Sequence, residues 1–193
     1  MYKIALTGGI GTGKTFLSKN FIDMGIPVFY ADDEAKTLYQ DETFLQKLTA
    51  LFGSEILADG RVHLRKLSNL VFNDQTQLEK LNRLVHPCVM ELFEKWAAQQ
   101  DSNTVMMESA IIFEGHLESY FDKIIVADAP FELRLQRVQF RNPELTREDI
   151  LQRMSHQMPQ EEKCRRADLV VCTGETYAAS QNIKNEELGI QKQ

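Results

Sequence analysis

Thr7-Gly8-Gly9-Ile10-Gly11-Thr12-Gly13-Lys14-Thr15 is the stretch that decides the fold. Gly8 and Gly13-Lys14-Thr15 satisfy the Gly-x-x-x-x-Gly-Lys-(Ser or Thr) pattern of a phosphate-binding loop, whose backbone N–H groups point into one anion-sized hollow. In such a loop Lys14 supplies a point charge for the β- and γ-phosphates, and the Thr15 hydroxyl stands where it can ligate Mg²⁺. The flanks agree. Tyr2-Lys3-Ile4-Ala5-Leu6 reads as a buried parallel strand, and Phe16, Leu17, Phe21, Ile22 and Met24 recur at helical spacing until Gly25 ends the helix. Strand, glycine loop and helix together bring the positive end of a helix dipole against a phosphate.

Outward from the loop the chain alternates strands and helices. Lys3 to Leu6, Pro27 to Tyr30, Thr104 to Met107, Lys123 to Ala127 and Leu169 to Cys172 are the expected strands. With helices between them they predict an α/β fold whose five-stranded parallel sheet is covered on both faces. The gap from Asp33 to Gln100 is too long for one crossover. Leu78, Leu81, Leu84, Val85, Val89, Leu92, Phe93 and Trp96 recur there at helical intervals, which predicts a helical subdomain inserted after the second strand. No internal repeat or low-complexity linker interrupts the chain, and the polar last dozen residues, Asn182 to Gln193, are expected to fray.

Charge narrows the partners. The chain carries a net charge of −6, which argues against a nucleic-acid binder, yet Arg134 to Arg166 holds eight Lys or Arg against five Asp or Glu. A basic segment in an acidic protein suits a small anionic ligand. Cys88, Cys164 and Cys172 are odd in number and widely spaced, and the four histidines show no metal-ligand spacing, so reduced thiols in a cytoplasmic protein and no zinc site are expected. Neither a signal-like apolar stretch nor a membrane span is expected.

Three further clusters bear on chemistry. Asp32 and Asp33 lie just past the second strand, on the edge of the sheet where ligands bind in open parallel folds. Asp32 is read as a proton acceptor or a helper in holding Mg²⁺, and Asp33 as a helix cap. Arg134, Arg137 and Arg141, at i, i+3 and i+7, share a helix face from which three guanidinium groups could converge on a triphosphate. Beyond Pro143, Thr146 and Asp149 resemble a capping box, so the basic run reads either as a mobile lid or as a solvated charged face. Glu108 and Asp128 end apolar runs, and either could support a hydrated metal ion or simply meet water at a strand end. On these residues alone a small-molecule kinase and a regulatory nucleotide switch both remain, although no Asn-Lys-x-Asp guanine-reading motif is present.

The ordered combination of Leu6 to Thr15, Ala31-Asp32, Asp59-Gly60, Leu67, Val71-Phe72, Leu81-Asn82, His86-Pro87, Ile111 to Glu114, Arg137 with Arg141, Gln157 and Ala167-Asp168 resembles the dephospho-coenzyme A kinase family over nearly the whole chain. The resemblance implies a P-loop kinase fold in one domain. Its core would comprise residues 1–32, 101–136 and 161–181, with a helical coenzyme A subdomain at 33–100 and a lid at 137–160. It implies γ-phosphoryl transfer from ATP, with Mg²⁺, to the ribose 3′-hydroxyl of dephospho-coenzyme A, the final step of coenzyme A synthesis. Gly9, Gly11, Thr12, Gly13, Lys14, Thr15 and Phe16 would hold ATP together with Arg137 and Arg141. Asp32 and Lys14 would be catalytic, Thr15 would ligate the metal, and Asp32, Arg65 and His86 would contact the acceptor. A monomer or small homo-oligomer is expected. The sequence departs from the family at Tyr30, where an Asp is common, at Ala110 for Pro, at Leu64 for Arg with Arg65 beside it, and at Thr173 for Asn.

Overall fold

The structure, a computed structural model, describes residues 1–72 and 74–174, so the expected fraying tail and residues 175–181 of the expected core lie outside the described residues. Two compact units form, one of Met1–Tyr30 with Gln100–Gln193 and the other of Ala31–Gln99. In chain order the first unit opens with strand β1 (Tyr2–Thr7), helix α1 (Lys14–Asp23) and strand β2 (Val28–Tyr30). The second holds helices α2 (Ala31–Leu38) and α3 (Glu42–Phe52), a ribbon of β3 (Leu57–Ala58) and β4 (Arg61–Val62), and helices α4 (Leu64–Phe72) and α5 (Gln75–Ala97). The chain then returns to the first unit with β5 (Thr104–Glu108), β6 (Lys123–Asp128), α6 (Phe131–Arg141), α7 (Arg147–Ser155), α8 (Gln160–Arg166) and β7 (Leu169–Cys172).

All five expected strands enter one parallel sheet, ordered β2-β5-β1-β6-β7. Its centre is β1, whose Ile4, Ala5 and Leu6 are fully buried because helices cover both faces. Leu6 pairs with Glu108 on one side and Ile125 on the other, which brings the carboxyl ends of three strands to a common edge. Ile4, Leu6, Leu17, Phe21, Met106 and Ile125 make the core beneath that edge.

Helix α1 starts two residues earlier than its apolar pattern suggests, because Gly13 caps it in the left-handed region at φ 87°. It ends as expected at Gly25, where the Gly25 N–H bonds Ile22 O at 2.9 Å and the Ile26 N–H bonds Phe21 O at 3.0 Å. Only Leu17 and Phe21 of its expected apolar face are buried, and Phe16, Ile22 and Met24 are exposed. Buried Ser18 takes their place: its hydroxyl donates to Thr15 O at 3.0 Å and shares a hydrogen bond with Tyr30 Oη at 3.0 Å, so its burial leaves no polar cost.

In the second unit the long apolar periodicity is α5, with Val89, Met90, Phe93 and Ala97 buried and Leu78, Leu81, Leu84, Val85, Leu92 and Trp96 half-buried. Asp74 caps it by accepting Thr76 N at 2.8 Å. The ribbon turns at Asp59-Gly60, both with positive φ, as a two-residue hairpin turn requires. The expected cap role of Asp33 is corrected. Strand β2 runs directly into α2, so Ala31 is already helical and Asp33 lies in the first turn, where its carboxylate accepts Lys36 Nζ at 2.6 Å.

Phe21→Ala removes a ring with no exposed surface between α1 and the sheet. We expect urea denaturation to show a loss of about 3–5 kcal/mol; a loss below about 1 kcal/mol contradicts this packing.

Candidate active site: a phosphate loop gripped from below

The loop joining β1 to α1 needs its glycines for two different reasons. Gly11 adopts φ 79°, and a Cβ there would lie 2.4 Å from the backbone oxygen of Arg134. Gly9 has an ordinary φ, but a Cβ would sit 2.5 Å from Arg134 Nη2. Conformation and the Arg134 carbonyl exclude a side chain at the first position, whereas at the second a side chain would have to displace the Arg134 guanidinium. Above this floor Lys14 Nζ lies 3.0 Å from Gly8 O and 3.4 Å from Gly9 O, held across the hollow the loop encloses.

The backbone of the loop is satisfied from beneath by side chains distant in sequence. The Gly9 N–H donates to Gln160 Oε1 at 2.8 Å, and Gln160 Nε2 in turn donates to Ala127 O and Asp128 Oδ1, each at 3.0 Å. The Ile10 N–H donates to Gln157 Oε1 at 2.8 Å, while Ile10 O accepts Arg134 Nε at 3.1 Å. Arg137 donates through Nη1 to Gly11 O at 3.4 Å and to Thr173 Oγ1 at 3.0 Å, and through Nη2 to Thr173 O at 2.5 Å. The Thr173 hydroxyl closes the ring by donating to Thr12 O.

The arginines at i, i+3 and i+7 are therefore not three equivalent phosphate ligands. Arg134 is buried and spent on the loop backbone; burial pulls its pKa down while the carboxylates of Asp128 and Glu161 pull it back up. Arg137 is shared between the loop and Thr173, and Arg141 lies exposed at the end of α6. Arg147, at the start of α7, is exposed and pairs with Glu132 at 3.2 Å. The expected capping box is present, with Thr146 and Asp149 bonded reciprocally.

At the sheet edge the two candidate carboxylates separate. Glu108 is buried and accepts the Thr15 hydroxyl at 3.4 Å, whereas Asp128 accepts Gln160. A hydroxyl beside a carboxylate is an all-oxygen donor pair suited to a hard divalent cation. In the other unit Asp32 is exposed in the first turn of α2, Arg65 is exposed in that of α4, and His86 is half-buried on α5. Of the residues that depart from the family pattern, Tyr30 bonds Ser18, Thr173 clamps Arg137, and Ala110 O accepts Lys163 Nζ at 2.6 Å.

Sequence reasoning missed Gln160 and Lys163. Lys163 has no exposed surface and pairs with Glu114 at 2.7 Å; burial lowers its pKa and the Glu114 carboxylate raises it. A lysine or glutamine inside a polar helix carries no periodic signal, and only the fold brings these side chains under the loop.

The dephospho-CoA kinase family model matches residues 2–178, almost the whole chain. The chain belongs to the dephospho-CoA kinase family. It is thus a kinase, an ATP-using transferase that phosphorylates dephospho-coenzyme A in coenzyme A synthesis. A dephospho-CoA kinase of Listeria monocytogenes is 38% identical over 184 residues, covering 92% of this chain and 91% of its own. One from Bacteroides fragilis is 36% identical over 171 residues, covering 88% of this chain and 83% of its own. Among solved structures, TT1252 from Thermus thermophilus matches with a TM-score of 0.84 and 32% identity, over 93% of this chain and 92% of that one. No helix among the described residues is long and apolar enough to cross a membrane.

Gly11→Ala should lower kcat/KM for ATP by about a hundredfold, since a Cβ forced against Arg134 O must displace the loop by a large fraction of an ångström. Steady-state kinetics check this, and wild-type kinetics would show that the loop does not need its left-handed residue.

Proposed function

We propose that residues 8–15 hold the triphosphate of ATP and that the γ-phosphoryl group passes to the ribose 3′-hydroxyl of dephospho-coenzyme A. The observation that carries this reading is the gripped loop itself, with Lys14 lying across it and Thr15 beside Glu108, in a chain of this family. Gly9, Gly11, Thr12, Gly13, Lys14 and Thr15, with Phe16 just beyond, form the nucleotide side of the site, the Gly9 amide itself being taken up by Gln160 beneath the loop. Lys14 places its charge where negative charge develops in the transition state, in a setting where fixed countercharge counts for most. Mg²⁺, when bound on Thr15 with Glu108 in support, would neutralise part of the phosphate charge.

On the acceptor side, Asp32 follows the end of β2 by two residues and is proposed to orient the hydroxyl and take its proton. Arg65 and His86, on the helical unit, are proposed to bind the coenzyme A portion. The segment 137–160 is proposed to act as a lid that moves between two ends held to the loop, Arg137 and Gln160, with Arg137 and Arg141 facing the nucleotide on closure and water excluded. Its helix α7 has one buried residue, Ile150, and rests on a small apolar cluster, which suits a segment of low local stability. We further propose a reducing cytoplasmic setting, consistent with the free thiols of Cys88, Cys164 and Cys172, and a monomer or small homo-oligomer with no nucleic-acid partner.

ATP consumption with dephospho-coenzyme A, compared with nucleoside monophosphates, tests the acceptor. Turnover is expected with the former alone, and equal turnover on a nucleoside monophosphate would overturn the reading. Asp32→Asn keeps the shape of the side chain but removes the proton acceptor. It is expected to cut kcat by roughly 10² to 10⁴ and to leave ATP affinity nearly unchanged. Lost ATP binding with unaltered kcat at saturation would make Asp32 a metal or structural residue instead.

A further inference from the structure

Ile10 is held on three sides at once. Its N–H donates to Gln157 and its carbonyl accepts Arg134. Its side chain packs against the apolar cluster of Leu135 and Val138 from α6 and Ile150 from α7, with Leu145 and Met154 alongside. The neighbouring Gly9 is held differently. Its partner Gln160 is buried and bonded to two further acceptors at the end of β6, a fixed point of the core. Gln157 is only half-buried, its side chain makes among the described residues the single bond to Ile10, and it sits in the turn that leads from α7 to α8. The next residue pins that turn on the far side, because the Met158 N–H donates to Glu114 Oε1 at 2.9 Å and Glu114 is paired with buried Lys163.

We infer that Ile10 is the joint through which the α6–α7 arm sets the position of the phosphate loop, and that Gln157 is a positioning residue acting through its hydrogen bond to the Ile10 N–H. A displacement of α7 reaches Ile10 both through the apolar cluster and through Gln157, while Gly9 stays anchored by Gln160. The loop then pivots between a fixed residue and a carried one, four positions before Lys14. The side chain at 157 must accept a hydrogen bond without bringing negative charge to an anion site. Glutamine meets both demands, and glutamate meets only the first.

This inference rests on the nucleotide site proposed above, but its first readout needs no turnover. In the full-length chain, amide hydrogen exchange at Ile10 should be slow, and Gln157→Leu should speed it at least fivefold, the worth of one hydrogen bond of about 1 kcal/mol. Exchange at Gly9 should not change. In steady-state assays Gln157→Leu should lower kcat about fivefold to tenfold and leave the KM for dephospho-coenzyme A within twofold, since the acceptor side is untouched. Gln157→Glu should keep Ile10 protected and raise the KM for ATP. Ile10→Ala combined with Gln157→Leu should cost little more than the worse single change, because both cut the same joint. Fast exchange of Ile10 in the wild type, unchanged exchange in Gln157→Leu, fully additive losses, or altered exchange with unaltered kcat would each overturn the inference. Absence of wild-type activity on dephospho-coenzyme A would instead count against the substrate reading and leave the exchange result standing.

Discussion

The amide of Gln160 joins two pieces of backbone, and a carboxylate beside one of them, that no regular hydrogen-bond ladder could join. Its oxygen takes the Gly9 N–H of the phosphate loop, and its nitrogen donates to the last carbonyl of the apolar run in β6 and to the carboxylate of Asp128. A loop that must present N–H groups to an anion cannot satisfy its own backbone, and buried polar groups left without partners are costly. The solution here is to satisfy the under-side of the loop from α6, α8 and the residue after β7. Arg134, Arg137 and Thr173 complete that under-side by taking up the carbonyls of Ile10, Gly11 and Thr12. A loop fixed in this way loses little entropy when it receives a phosphate, which is the physical content of preorganisation.

Much of the fold could be read from the sequence because its signals are strong and local. Five β-rich apolar runs separated by helical periodicity leave few alternatives to a covered parallel sheet, and Gly25 and Thr146 with Asp149 each carry cap chemistry that acts within a few residues. The loop was legible for the same reason. Asp33 was misread because nothing local distinguishes a cap from a first-turn residue when a strand runs into a helix without a break. The arginine series was only half legible. Helical spacing says that Arg134, Arg137 and Arg141 share a face, but not whether that face meets a ligand, the protein's own carbonyls or water, and these three meet protein twice and water once.

Gln160 and Lys163 mark where sequence reasoning stops for a physical reason. Both lie on α8, whose seven residues are polar or charged apart from Cys164, a composition that reads as solvated surface. Each is nonetheless buried, because its polar end finds partners that only the tertiary fold supplies: the loop and β6 for Gln160, Ala110 O and Glu114 for Lys163. Burying an ammonium group is unfavourable unless it is paired and hydrogen-bonded, and here it is both. The same pairing fixes the segment after β5 against the middle of α8, so the charge that looks superficial in sequence forms part of the frame beneath the phosphate loop.

If the loop is set by this frame, its anchored amide should behave as part of the sheet and not as part of a surface loop. Native-state hydrogen exchange at Gly9, measured in the full-length chain without nucleotide, addresses that directly. Protection comparable to that of Ile125 in β6, lost only on global unfolding, is the expected result. Exchange at the rate of an exposed turn, with protection gained only on adding ATP, would contradict a preset loop and place its ordering on the ligand.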